Sequence, residues 1–228
     1  MDLSKSNCVI TCYFFLFSFL VVNSSDPHFA NTNCSDSRSF TSDSIYKSNL
    51  DSLLTNFSTA ADPFYASRFQ TDTSGQGSDI VYGMFLCEGQ VSIDNCRECI
   101  KVAARVVVDT CTIQKSAITW YENCMLRYSD TNFTGVMETV PSYVRTRLKD
   151  IADPNLRSKP FTLIYKLIGT VQESEDLYAY AKKDERNYWI VQCTRDINAS
   201  VCGTCLNTLI KEGEEKSRGK IGWHLANV

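Results

Sequence analysis

This sequence contains few histidines and few prolines, and it has no excess of positive charge. Its 228 residues contain two histidines and five prolines, and the formal net charge is −3. A protein that binds nucleic acid needs a basic surface to neutralise the phosphates, so the charge argues against that class. The histidines, His28 and His224, are widely separated, and no motif fixes a nucleophile beside either of them. We therefore predict no nucleic-acid partner and no hydrolase.

Carboxylates show no catalytic pattern either. A glycosidase needs two of them held at a set separation across the bond that is cleaved. Nothing fixes such a pair among the acidic residues of the second half, so we interpret these as solvated surface: Asp184, Glu185, Glu212, Glu214 and Glu215. No catalytic residue is predicted, and we expect a protein that is not an enzyme.

Apolar runs long enough to cross a membrane are also lacking, since a spanning helix needs about 20 apolar residues. One shorter run covers residues 8–22, follows Lys5 and precedes Asn23-Ser24-Ser25. This arrangement is typical of a secretory signal peptide. We predict a signal peptide at residues 1–25 and a secreted mature chain without a membrane span. Secretion makes the Asn-x-Ser/Thr triplets glycosylation candidates: Asn33, Asn56, Asn132 and Asn198.

Cysteine, in contrast, is abundant, with eleven residues in the chain. Cys8 and Cys12 lie in the predicted signal peptide, and in a secreted protein the other nine indicate disulfides. A three-cysteine spacing occurs twice, as Cys87-x8-Cys96-x2-Cys99 and as Cys193-x8-Cys202-x2-Cys205. Each copy follows an apolar strand-like run and enters an amphipathic segment. The sequence therefore predicts two tandem modules.

The paired spacings also allow a different interpretation, a zinc site. Cys96-x2-Cys99 and Cys202-x2-Cys205 would supply four thiolates for a tetrahedral ion. The secretory start, the additional cysteine before each pair and the long separation between the pairs argue against it. We predict no metal and no cofactor.

Hydrophobic periodicity predicts an α+β fold. In the first module we expect helices over residues 44–59 and from Ser92 or Asp94 onwards, and strands at 64–70, 80–86, 117–121 and 124–128. In the second we expect helices over 161–171 and 201–210, and strands at 177–181, 188–193 and from 219. No counterpart of 123–128 follows residue 225, so the second module is predicted to lack its last strand. The expected boundaries are 1–25 signal peptide, 26–135 first module, 136–155 linker and 156–228 second module.

The cysteine spacings, together with Cys34, Cys111 and the segment Trp120-Tyr121-Glu122-Asn123-Cys124-Met125-Leu126-Arg127-Tyr128-Ser129, resemble the ginkbilobin-homologous, or stress-antifungal, domain of land plants. Residues 191–197 resemble the same point in a second copy. Two such domains after a signal peptide are similar to a cysteine-rich repeat secretory protein, or to an ectodomain fragment of a cysteine-rich receptor-like kinase. The resemblance implies two helices packed on an antiparallel sheet of about five strands in each module. It also implies the disulfides Cys34–Cys111, Cys87–Cys96, Cys99–Cys124 and Cys193–Cys202, with Cys205 unpaired.

The function that the resemblance implies is that of a secreted, non-enzymatic binding protein of plant stress or defence signalling in the apoplast. Its expected partner is a cell-surface or apoplastic protein, or a glycan, and a dimer through Cys205 or through an exposed sheet edge is a further expectation. The alternatives are a mannose-type antifungal lectin and a truncated ectodomain of a receptor-like kinase. Mannose-binding members carry Asn, Arg and Glu at three positions that here hold Ser35, Ile118 and Ser129, so the charged groups that would grip a sugar are absent.

Aromatic residues allow two interpretations. Trp120 and Tyr121 suit either a sugar platform or the core, and a strand aromatic is more often core. Trp189 and Trp223 suit either a partner interface or the core, and core packing is again the stronger expectation.

Overall fold

The computed structural model describes residues 27–35, 37–59, 67–146, 159–184, 187–217 and 223–226. The predicted signal peptide lies outside these residues. The first module contains two helices and five strands, in the order β1 (Phe29–Cys34), α1 (Ile45–Thr59), β2 (Phe69–Ser74), β3 (Val81–Cys87), α2 (Ile93–Thr110), β4 (Ser116–Tyr121) and β5 (Cys124–Ser129).

The five strands of the first module form one antiparallel sheet in the order β1-β4-β5-β3-β2, and α1 and α2 pack on one face of it. Apolar residues recur along α1 at helical spacing, so one face of this helix is buried: Tyr46, Leu50, Leu53, Leu54 and Phe57. The Ser92 hydroxyl caps α2 by accepting a hydrogen bond from the Asn95 amide at 3.2 Å. The prediction of an α+β fold with two helices on a five-stranded sheet is confirmed.

The opposite face of this sheet is also covered, by the chain that follows β5. Apolar side chains of this face and of the chain after β5 form a second cluster, the outer cluster: Met84, Ile118, Trp120, Met125 and Phe133. The Arg127 guanidinium lies 4.1 Å from the centre of the Phe133 ring and pairs with Glu138. Burial on both faces explains why β3 to β5 are almost continuously apolar instead of alternating.

The second module contains α3 (Lys159–Glu173), β7 (Tyr178–Asp184), β8 (Asn187–Gln192) and α4 (Ala199–Ser217), with β6 (Tyr143–Thr146) before them and β9 (Trp223–Ala226) after them. Its strands form two antiparallel pairs, β6 with β9 and β7 with β8. In chain order, β6, α3, β7, β8, α4 and β9 correspond to β1, α1, β2, β3, α2 and β4 of the first module. Among the residues that the structure describes, no strand joins the two pairs, whereas in the first module β5 lies between β4 and β3.

Three elements differ from the expectations. β1 falls in a polar stretch without periodicity, and it forms because β4 offers a pairing edge. β6 lies inside the segment expected as linker and pairs with β9, although four residues are too short to show alternation. β2 continues to Ser74, past residue 70 where the expected strand ends, and it is followed by Gly75, whose φ of +84° suits glycine. Residues 64–66 of the expected strand lie outside the described residues.

Candidate functional site

Disulfides tie α2 to the sheet at three points. Cys96 and Cys99, near the start of the helix, are bonded to β3 and β5, and the residue after the helix is bonded to β1, in the pairs Cys87–Cys96, Cys99–Cys124 and Cys34–Cys111. The second module repeats one of these bonds, Cys193–Cys202. These are the pairs that the resemblance implies, and they make α2 a fixed support for the surface around it.

Cys205 is free in the structure and corresponds to Cys99 of the first module. Only 4% of this residue is exposed, and burial raises the pKa of its thiol. The burial and the raised pKa both slow disulfide formation at Cys205, because a disulfide forms only from an accessible thiolate. The geometry therefore disfavours the expected dimer through Cys205.

A polar corner lies at one end of the first sheet, formed by Ser35, Ser37, Arg38, Ser129, Asp130 and Thr131. The Arg38 guanidinium lies 2.7 Å from the Asp130 carboxylate and donates a 2.7 Å hydrogen bond to the Thr131 hydroxyl. Asp130 is only 9% exposed at its side chain, whereas Arg38 is largely exposed. The corner thus offers a guanidinium and several hydroxyls to solvent, with a buried carboxylate behind them.

The two modules touch each other at a small set of polar contacts. The Tyr178 hydroxyl donates to Glu88 Oε1 at 2.7 Å, and Gln192 Nε2 donates to the Cys87 carbonyl at 3.1 Å. The Tyr178 ring lies so close to Gly89 that a Cβ there would meet ring atoms at 2.6 Å. Burial, followed by the hydrogen bond to Glu88, raises the pKa of Tyr178.

A third contact between the modules lies at a separate place. The Gly135 amide donates to Asp196 Oδ2 at 2.6 Å. Together these contacts join the β3–α2 connection and the segment after β5 to the second module. None of the pairs was predicted from the sequence, because the partners are 61 to 105 residues apart.

A family model described as salt stress response/antifungal matches residues 33–131. Cysteine-rich repeat secretory protein 38 of Arabidopsis thaliana is 34% identical over 196 residues, which cover 83% of this chain and 77% of that protein. The chain belongs to the stress-antifungal family. An antimicrobial ginkbilobin-2-like protein of Castanea crenata is 33% identical over 212 residues, 90% of this chain and 85% of that protein.

Other stress-antifungal relatives are much longer than this chain. Cysteine-rich receptor-like protein kinase 25 of Arabidopsis thaliana is 32% identical over 206 residues, which are 86% of this chain and 30% of the kinase. Among solved structures, the tandem DUF26 ectodomain of the Arabidopsis thaliana cysteine-rich receptor-like protein PDLP8 matches with a TM-score of 0.76. Its sequence identity is 20%, and the match covers 87% of this chain and 93% of that one. This likeness shows a shared tandem fold.

Membership of the stress-antifungal family confirms the predicted compartment. The relatives are secretory proteins and receptor ectodomains of plants, so this protein is a secreted, cysteine-rich member of a defence and stress family. In the described part of the chain, no helix is long and apolar enough to cross a membrane. Nor do the described residues include a group of three or more His, Cys, Asp or Glu placed to hold a metal ion.

The three positions at which mannose-binding members of the stress-antifungal family grip the sugar come together in this structure. Ser129 lies opposite Ser116 across β4 and β5, and the Ser35 amide donates to the Ser116 carbonyl at 2.9 Å. Ile118 lies two residues further along β4 but is buried in the outer cluster. The Ser129 hydroxyl is buried too and accepts from the Thr131 amide at 3.1 Å. None of these three residues supplies a charge, and the nearby charges belong to Arg38 and Asp130.

The candidate aromatics are mostly core residues. Trp120 is 2% exposed and stacks on Tyr143 at 6.4 Å, and Tyr121 is buried beside Phe29. Trp189 is half-buried and packs against the core of the second module. The Trp223 side chain and the His224 side chain lie outside the described residues.

The four glycosylation candidates are all exposed, at different places in the fold. Asn33 lies on β1 and Asn56 on α1. Asn132 and Asn198 use their side-chain oxygens to accept backbone hydrogen bonds, from Thr134 at 3.0 Å and from Val201 at 2.9 Å. Their side-chain nitrogens are not used in these bonds, so the geometry at Asn132 and Asn198 is compatible with a glycan. The side-chain nitrogen of Asn56, in contrast, donates a 3.4 Å hydrogen bond to Asp72 Oδ2.

Proposed function

We propose that this protein is a non-enzymatic binding protein of plant stress and defence signalling, which acts in the apoplast by recognising another extracellular protein. The observation that carries this proposal is the set of contacts between the modules, above all Tyr178 with Glu88. Two modules held in a fixed arrangement present one composite surface, whereas two flexibly linked modules would lose entropy when a partner engages both.

The chemistry of the contacts supports a fixed arrangement. A hydrogen bond from a tyrosine to a carboxylate is charge-assisted, and such bonds contribute about 1.5–3 kcal/mol when protected from water. The Tyr178 ring packs on Gly89, so a side chain at that position would force the modules apart. The names of the relatives agree with a recognition role, since several are receptor-like kinases that match most of this chain over about a third of their own length.

The test compares which extracellular proteins are captured by the natural secreted chain and by its Gly89→Leu variant. Chemical cross-linking in apoplastic fluid, followed by mass spectrometry, is expected to recover a defined protein with the natural chain and to lose it with Gly89→Leu. Gly169→Leu is the matched control, because a Cβ at Gly169 meets no atom within 4 Å. Equal recovery with all three forms would contradict the role of the composite surface.

A lectin is the second candidate, and the polar corner is the observation that favours it. Arg38 and Asp130 place a guanidinium and a carboxylate beside the positions that hold the sugar in mannose-binding relatives. A glycan array with the natural chain and with Arg38→Ala tests this function. A mannose-type signal that disappears in Arg38→Ala and persists in Arg97→Ala would establish the lectin and displace protein recognition as the leading function.

A further inference from the structure

An open groove runs between α1 and α2 on the helical side of the first module. Its volume is about 350 Å³, which is at the small end of ligand-binding sites. The floor is apolar and consists of Leu54 from α1 with Ala104 and Val108 from α2. A groove of this size has room for one or two aliphatic side chains of a ligand.

The α2 wall of the helix groove is basic. Lys101 and Arg105 are four residues apart on one face of the helix, and both are exposed. Neither makes an ion pair or a hydrogen bond with any residue that the structure describes. The acidic neighbours on the same helix, Glu98 and Asp109, lie within about one turn but form no ion pair within 4.0 Å with either cation.

The α1 wall does not neutralise these charges. Asp51 faces the groove, yet both of its carboxylate oxygens accept hydrogen bonds from Lys47 Nζ at 2.6 Å. The charged residues that line the groove, Asp51, Lys101 and Arg105, sum to +1, although the whole chain carries −3. Burial raises the pKa of Tyr121, and the nearby positive charge of Arg105 opposes that rise.

Other arginines of the first module are engaged by protein groups. Arg38 pairs with Asp130, Arg97 pairs with Asp94 at 3.1 Å, and Arg127 pairs with Glu138. Arg105 therefore differs from them, since it lies beside an apolar floor and no carboxylate among the described residues is bound to it. Its charge and that of Lys101 are available to a ligand.

We propose that the helix groove binds a short acidic peptide segment of a partner protein, in which carboxylates flank an aliphatic side chain. The carboxylates pair with Lys101 and Arg105, and the aliphatic side chain lies on Leu54 and Ala104. An inorganic anion would leave the apolar floor exposed, so the combination of surfaces favours an amphipathic segment. The inference rests on the proposed function in one respect, that the ligand is a protein.

The test measures fluorescence anisotropy of a labelled peptide that alternates Glu with Leu, added to the full secreted chain. Two matched peptides replace Glu with Gln or Leu with Ser. We expect the Glu–Leu peptide to bind most tightly and to weaken as salt is added, because exposed charge pairs are screened. Lys101→Ala and Arg105→Ala are each expected to weaken binding about 1.4- to fivefold, the range for an exposed ion pair. Arg97→Ala, on the same helix, is the control and is expected to leave binding unchanged.

Several results would overturn the proposal. Equal binding of the Glu–Leu and Gln–Leu peptides would show that Lys101 and Arg105 do not select charge, and unchanged binding by both alanine variants would exclude the groove. An oligouronate that binds the groove while the Glu–Leu peptide does not would make it a glycan site instead. Gly89→Leu distinguishes this proposal from the composite surface, since it is expected to leave peptide binding intact.

Discussion

Replacing Tyr178 by phenylalanine removes one hydroxyl from the contact between the modules and leaves the ring on Gly89. The lost bond is the 2.7 Å contact to Glu88 Oε1. Bonds to charged groups contribute about 1.5–3 kcal/mol, but Tyr178 is half-buried and Glu88 keeps a 3.0 Å bond from the Gln90 amide. We therefore expect a loss of about 1 kcal/mol in the free energy of unfolding.

Urea unfolding followed by tryptophan fluorescence measures this loss. With a slope of about 2 kcal/mol per molar urea, a change of about 1 kcal/mol lowers the midpoint by about 0.5 M. Tyr180→Phe is the matched control, because Tyr180 lies on the same strand, β7, and is half exposed. Its midpoint is expected to stay close to that of the natural chain. Equal midpoints for Tyr178→Phe and Tyr180→Phe would refute the contribution assigned to this contact.

Three further predictions concern the core and the disulfides. Cys205 is expected to be unreactive towards a thiol reagent in the native protein and to give one thiol per chain in denaturant; a native reaction as fast as that of a free thiol would contradict its burial. The free energy of unfolding is expected to fall as pH rises above about 10. The reason is that burial raises the pKa values of Tyr46, Tyr128 and Tyr178, so these tyrosines keep their protons in the folded state at a pH at which the unfolded chain has lost them. Unfolding curves recorded at increasing alkaline pH measure this fall. Removing Cys34–Cys111, which has a sequence separation of 77, should lower the free energy of unfolding by about 4.5 kcal/mol, and removing Cys87–Cys96, with a separation of 9, should lower it by about 2.6 kcal/mol. Thermal unfolding of the two double Cys→Ala variants should therefore show the larger loss for Cys34–Cys111.

Local signals allowed much of the fold to be predicted. α1 and α2 each carry apolar residues at helical spacing, and Ser92 marks the start of α2 with a capping side chain. The repeated cysteine spacing predicts the repeated strand-to-helix unit because both features are encoded within about 20 residues. These elements needed no knowledge of the distant chain.

Elements that depend on distant partners could not be predicted in the same way. β1 has the polar sequence Phe-Ala-Asn-Thr-Asn-Cys and becomes a strand by pairing with β4, more than 80 residues later. β6 and β9 are similarly short, and each gains its structure from the other.

The candidate sites depend even more on tertiary structure. The polar corner joins Arg38 to Asp130, and the helix groove places Asp51 opposite Lys101 and Arg105. Charged residues at these positions look like ordinary surface residues in the sequence. Only the packing of α1 beside α2 reveals which cations lack a partner among the described residues.

The measurement that tests the central claim most directly is a set of residual dipolar couplings from backbone amides of both modules in the full secreted chain. If the contacts of Tyr178 and Gln192 hold the modules as one body, a single alignment tensor is expected to fit the couplings of both modules. Two different tensors would show that the modules reorient independently, and they would contradict the composite recognition surface.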